Sequence, residues 1–149
     1  MLGTLVWLIA LALEFLRCGA ATAADYAVGA DLSFLTQAGD QSTDFKDGGQ
    51  AKPGLAILRD HGYNWSRLRL FHSPTQLPNN LECTLALAKA AKARGFRILL
   101  NYHYSDTWAD PGKQTIPRAW QDKSHTELAQ AMCEYTRDTM RRICLSHPG

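Results

Sequence analysis

The sequence predicts an α/β fold built from parallel βαβ units, and three observations carry that reading. Short apolar runs bounded by glycine, asparagine or polar loops recur about every thirty-five residues. Between them lie segments with apolar residues at helical spacing that close on glycine. The connections are also unequal: Gly62-Tyr63 and Gly95 are minimal helix-to-strand turns, whereas Phe34 to Gln50 and Tyr104 to Lys123 are long strand-to-helix loops. Strands alternating with helices form parallel sheets, and such sheets assemble binding sites outside the carboxyl ends of their strands, where the long loops lie.

The elements follow in order. Leu5 to Leu13 is an apolar run too short to span a bilayer, and Ala21-Thr22-Ala23 places small residues at a signal-peptidase site. Residues 1–23 are therefore expected to be a secretory signal and the protein to be secreted or periplasmic, although no Lys or Arg precedes the run. Arg17 directly before Cys18 argues against a lipoprotein box. Residues 24–149 make one small domain. Its first strand is expected over Tyr26 to Ser33, the second over Asn64 to Phe71 and the third over Phe96 to His103. One helix opens near Pro53 and closes at Gly62, and a second follows Asn79-Asn80 with Leu81, Leu85, Ala88 and Ala91 on one face. A capping box, Ser124 to Glu127, opens the third, which repeats Leu128, Met132, Tyr135, Thr139 and Ile143. Ala88 to Arg94 reads as a solvated helix face, and the residues after Arg141 end a helix without beginning a fourth strand.

Composition narrows the chemistry. A formal charge of +2 without basic clusters gives no footprint for nucleic acid. Cys83, Cys133 and Cys144 show no CxxC spacing, so they are expected to be small buried residues. GxGxxG, P-loop, GxSxG and HExxH motifs are absent, which leaves nucleotide, serine-nucleophile and metal chemistry without support. The Ser33 to Gln41 segment also lacks the phosphate turn of a flavodoxin-like protein.

Period-two alternation puts Leu68 and Leu70 toward the helices, and Arg67 and Arg69 on the opposite, interior face. An interior guanidinium needs a carboxylate. Arg69, nearer the carboxyl end, is the better site candidate, but spacing alone leaves a structural ion pair equally open. Leu99, Asn101 and His103 share one face of the third strand, within reach of Arg69. In the loop beyond, Tyr104 and Trp108 offer flat apolar faces while Asp106 and Asp110 offer acceptors, the combination that suits a sugar's C–H faces and hydroxyl donors. Asp110-Pro111-Gly112 is equally a turn, and Asp31 and Ser33 either bind hydroxyls or cap their loop.

The stretches GADLSFL, DGGQAKPGLAILRDHGYNWSRLRLF and NYHYSDTWADPGKQTIPRAW resemble the N-terminal portion of arabinogalactan endo-β-1,4-galactanases, glycoside hydrolase family 53. The resemblance covers Asp25 to Tyr135 and implies the first three βα units of a (β/α)8 TIM barrel, incomplete after the third helix. It further implies a retaining glycosidase acting on β-1,4-galactan side chains of pectin, with no cofactor and no nucleic-acid or membrane partner. Arg69 is similar to the family's arginine that contacts the catalytic nucleophile, and His103 to the histidine at the cleavage subsite. Trp108, Asp110 and Asp31 resemble its substrate-binding residues. Family members usually carry Asp where this chain has Asn101. The resemblance also implies acid/base and nucleophile glutamates on strands four and seven. Glu82, Glu127 and Glu134 fall on predicted helices instead, so no catalytic residue is assigned and the chain alone is expected to be inactive. The alternative is a non-catalytic galactan-binding module with a Tyr104–Trp108 platform.

Overall fold

The computed structural model describes residues 26–145; the expected signal segment lies outside them. Strands β1 (Gly29–Asp31), β4 (Trp65–Phe71) and β5 (Arg97–His103) form a parallel sheet in the order β1-β4-β5. Helices α2 (Gly54–Asp60), α3 (Leu81–Lys92) and α4 (His125–Leu145) follow in turn, so strand and helix alternate as expected. The short helix α1 (Leu35–Asp40) and a hairpin of β2 (Lys46–Asp47) and β3 (Gln50–Ala51) occupy what the sequence suggests is a bare loop. The hairpin turns on Gly48 and Gly49, whose φ of 57° and 81° suit a glycine pair between twisted strands.

The first strand is shorter than expected because side chains take over its ends. The Asn64 side chain accepts from Val28 N–H at 2.8 Å and donates to the Tyr26 carbonyl at 2.7 Å. At the other end Ser33 Oγ, not a backbone carbonyl, accepts from Arg69 N–H at 2.9 Å. Gly29 has a separate reason to lack a side chain: a Cβ there would meet Trp65 Cβ at 2.9 Å.

The core lies between the sheet and its helices. Leu32, Leu55, Leu68, Leu87, Ala88, Ala91 and Phe96 are buried together, with Ile98 and Leu100 packed against them. Ala88 and Ala91 are fully buried, so Ala88–Arg94 is not simply a solvated face. Small residues let α3 sit close on the sheet, while Lys92 reaches across to donate to the Ile143 carbonyl at 2.7 Å. On α3 the central core position is Leu87, with Thr84, and not Leu81 or Leu85. Asn80 caps this helix by accepting from Cys83 N–H at 2.9 Å. On α4 the capping box forms as read, Ser124 Oγ donating to Glu127 at 2.6 Å, and Thr139 and Ile143 are buried. Cys83, Cys133 and Cys144 are all exposed, which corrects the expectation that they fill the core, and no disulfide joins them.

Candidate functional site

The sheet has one face covered by helices, and alternation sends Arg67, Arg69, Asn101 and His103 to the other. Register sets Arg69 beside Asn101 and Phe71 beside His103 at the carboxyl ends of β4 and β5. The helix face receives Tyr102, whose hydroxyl bonds Thr139 Oγ1 of α4 at 2.6 Å. Leu99, lower on the open face, is 54 % exposed.

Arg69 finds the carboxylate its burial requires. Its guanidinium lies 2.8 Å from Asp31 Oδ2 at the end of β1, and Arg67 Nε lies 3.7 Å from the same oxygen. The other Asp31 oxygen accepts from Ser33 Oγ at 2.5 Å and from Ser33 N–H at 3.2 Å. Asp31 thus both caps its loop and pairs with the arginine. The Arg69 guanidinium carbon sits 4.3 Å from the Trp108 ring centroid, a cation–π contact that fixes the indole over the strand ends.

His103 stacks on Phe71 with centroids 4.6 Å apart and planes 25° apart, and Trp108 lies 5.8 Å away. This roof explains why Phe71, on the open face of its strand, is fully buried. Asn101 Nδ2 lies 3.2 Å from His103 Nε2. Burial, then the Arg69 and Arg67 charges, push the His103 pKa below its usual value, against a smaller opposing pull from Asp31. Burial and the neighbouring arginines thus disfavour the imidazolium form. An open cleft of about 490 Å³ runs along the outer edge of β5, past Asn101, Tyr102, His103, Tyr104, Asp110 and Gln114, with Arg69 and Trp108 outside its lining.

Other residues of the loop have different work. Asp106 accepts from Ser73 N–H at 2.9 Å and from Arg118 N–H at 2.8 Å, pinning the loop after β5 to the loop after β4 and to the 3-10 turn Arg118–Trp120. Asp110 caps its own turn, accepting from Gly112 N–H at 2.8 Å, and it is exposed. Tyr104 turns to the helix side, where its hydroxyl bonds Thr136 Oγ1 at 2.8 Å and its ring stacks on Tyr102 at 5.4 Å. A shared Tyr104–Trp108 platform is therefore corrected to Trp108 alone, 42 % exposed.

Sequence reasoning missed an aromatic cluster beneath this rim. His72 packs against Trp120 and Tyr135, with centroids 4.4 and 4.8 Å away, and Asp106 Oδ1 lies 3.6 Å from its Nδ1. Burial lowers the His72 pKa despite Asp106, and burial raises the Tyr135 phenol to about 12. The signal was Pro117-Arg118-Ala119-Trp120, where a large apolar ring at the end of a polar loop has to be buried somewhere. Of the three aromatic residues in the Tyr104 to Lys123 loop, Tyr104 and Trp120 thus pack against Tyr135 and Trp108 stays at the rim. Among the described residues no group of three or more His, Cys, Asp or Glu side chains is placed to hold a metal ion.

Comparison with known proteins identifies the family and the fold. Residues 27–146 match the family model described as glycosyl hydrolase family 53. An arabinogalactan endo-beta-1,4-galactanase of Cellvibrio japonicus is 37 % identical over 127 residues, covering 84 % of this chain and 34 % of that protein. A probable arabinogalactan endo-beta-1,4-galactanase A of Aspergillus terreus is 41 % identical over 119 residues, covering 79 % and 34 %. A solved structure from a study of two fungal beta-1,4-galactanases superposes with a TM-score of 0.74 at 38 % identity, covering 78 % of this chain and 35 % of that one. An Ignisphaera aggregans GH53 catalytic domain gives 0.77 at 32 % identity, covering 85 % and 38 %. The chain spans about a third of the length of the relatives it matches. Its fold is that of the first three βα units of a (β/α)8 barrel.

Proposed function

We propose that this chain, which belongs to glycosyl hydrolase family 53, forms one side of the substrate cleft of an arabinogalactan endo-β-1,4-galactanase and does not cleave galactan on its own. The observation that carries the reading is the convergence of Asp31, Arg69, Asn101, His103 and Trp108 at one end of a parallel sheet, where such folds place their sites. The exposed face of Trp108 stacks on the apolar face of a galactose unit. Arg69, Asn101 and His103 supply hydrogen bonds beside it, and Asp110 borders the cleft. Galactan enters as a neutral polysaccharide. The apolar run before Ala21-Thr22-Ala23 supports a secreted protein whose residues 1–23 are removed, leaving residues 24–149 as a partial glycosidase domain.

Retaining hydrolysis requires two carboxyl groups about 5 Å apart, one acid/base and one nucleophile. Among the described residues Glu82 lies in the first turn of α3, and Glu127 and Glu134 lie on α4. The aspartates at the rim are engaged: Asp31 by Arg69, Asp106 by two amides and Asp110 by its turn. Affinity electrophoresis of the 149-residue chain in gels containing β-1,4-galactan tests the binding half of the reading. Retardation that Trp108→Ala abolishes is expected. Equal mobility with and without galactan would show that the cleft does not take this sugar.

A further inference from the structure

We infer that Asn101 selects the tautomer of His103, holding the imidazole neutral with its proton on Nδ1, so that the ring donates from Nδ1 to an acceptor oxygen of a bound sugar. The sugar's identity rests on the galactan reading above; the tautomer does not. Asn101 and His103 are two residues apart on β5 and therefore stand on one face. Asn101 Nδ2 lies 3.2 Å from His103 Nε2. An amide NH₂ only donates, so the ring nitrogen facing it accepts. A neutral imidazole that accepts at Nε2 carries its hydrogen on Nδ1.

Two further observations support this state. The ring is held by its stack on Phe71, with Trp108 close by, so it presents its nitrogens in a fixed direction. The charges facing it are Arg69 and Arg67, which oppose a cationic ring, and Asp31, which is tied to both. No other described residue bonds Nδ1, which leaves its N–H for a ligand. An aspartate at 101 would reverse the arrangement. It would accept from Nε2–H, draw a proton onto the ring and turn Nδ1 of the neutral form into an acceptor. An aspartate at 101 would therefore change which sugar oxygen or hydroxyl His103 can bind.

The test is a long-range ¹H–¹⁵N correlation spectrum of the full chain labelled with ¹⁵N-histidine, His103 being assigned by its loss in His103→Gln. A pyrrole-type Nδ1 and a pyridine-type Nε2 are expected. Asn101→Asp should move the hydrogen to Nε2 and raise the His103 titration midpoint by about one pH unit or more. Asn101→Leu, checked for native circular dichroism, removes the donor without adding charge and should let the Nε2–H form appear. A native ring already protonated on Nε2, or an Nδ1 preference unchanged in Asn101→Leu, would overturn the inference. Failure to bind galactan would sink the functional reading and leave the tautomer result standing.

Discussion

Replacing Asp106 separates a structural role from a sugar-binding one. Its two oxygens accept from backbone N–H groups of Ser73 and Arg118 at 2.9 and 2.8 Å, tying three rim segments together. A hydrogen bond to a charged acceptor contributes about 1.5–3 kcal/mol when sheltered. Both amides lie near the surface, where water replaces part of each bond, so about 1 kcal/mol apiece and roughly 2 kcal/mol for Asp106→Ala is expected. Asp106→Asn should be no milder, because its NH₂ must face one of the two donors. Urea unfolding of the full chain followed by tryptophan fluorescence measures this as a lowered midpoint at constant slope. An unchanged midpoint together with lost galactan binding would refute the reasoning and return Asp106 to the sugar.

Other substitutions and conditions separate the rim from the core. Trp108→Ala should cost about 1–2 kcal/mol of stability, because the half-buried ring loses its contact with Arg69 and its place over His103 and Phe71, and thermal melts check this. His72 and His103 both titrate below the ordinary histidine value in the folded chain, so the unfolded chain binds protons first as the pH falls. Their contribution is present above the ordinary histidine value of about 6.5 and is lost as the pH drops toward their lowered folded values, so the melting temperature should fall as the pH is taken down from about 6.5. Ser124→Ala removes the capping box of α4 and should lower stability by about 1 kcal/mol by urea titration.

Much of this molecule is legible in its residues because the strongest signals are periodic. Alternation in Trp65–Phe71 and Arg97–His103 fixes which side chains face the helices, and the Ser124–Glu127 box marks where α4 begins. That Arg69 takes a carboxylate follows from the same alternation plus the rule that an interior guanidinium needs one, whereas the choice of Asp31 does not. What escapes is decided by partners distant in sequence. Tyr104 and Trp108 look alike in a loop, and only the position of Thr136 on α4 draws one to the helix side. Asp106 resembles a sugar acceptor until Ser73 and Arg118, far from it along the chain, occupy both its oxygens. The β2–β3 hairpin was readable from Asp47-Gly48-Gly49-Gln50, a strong turn signal. Its strands are too short to show alternation.

Reducing-end release from β-1,4-galactan by the purified 149-residue chain bears most directly on the claim that the rim holds sugar without breaking it. No release above buffer is expected from a preparation that the same polysaccharide retards in a gel. Turnover that disappears in Asp106→Ala or Asp110→Ala would contradict the claim, because it would place the bond-breaking carboxyls in the loop after β5.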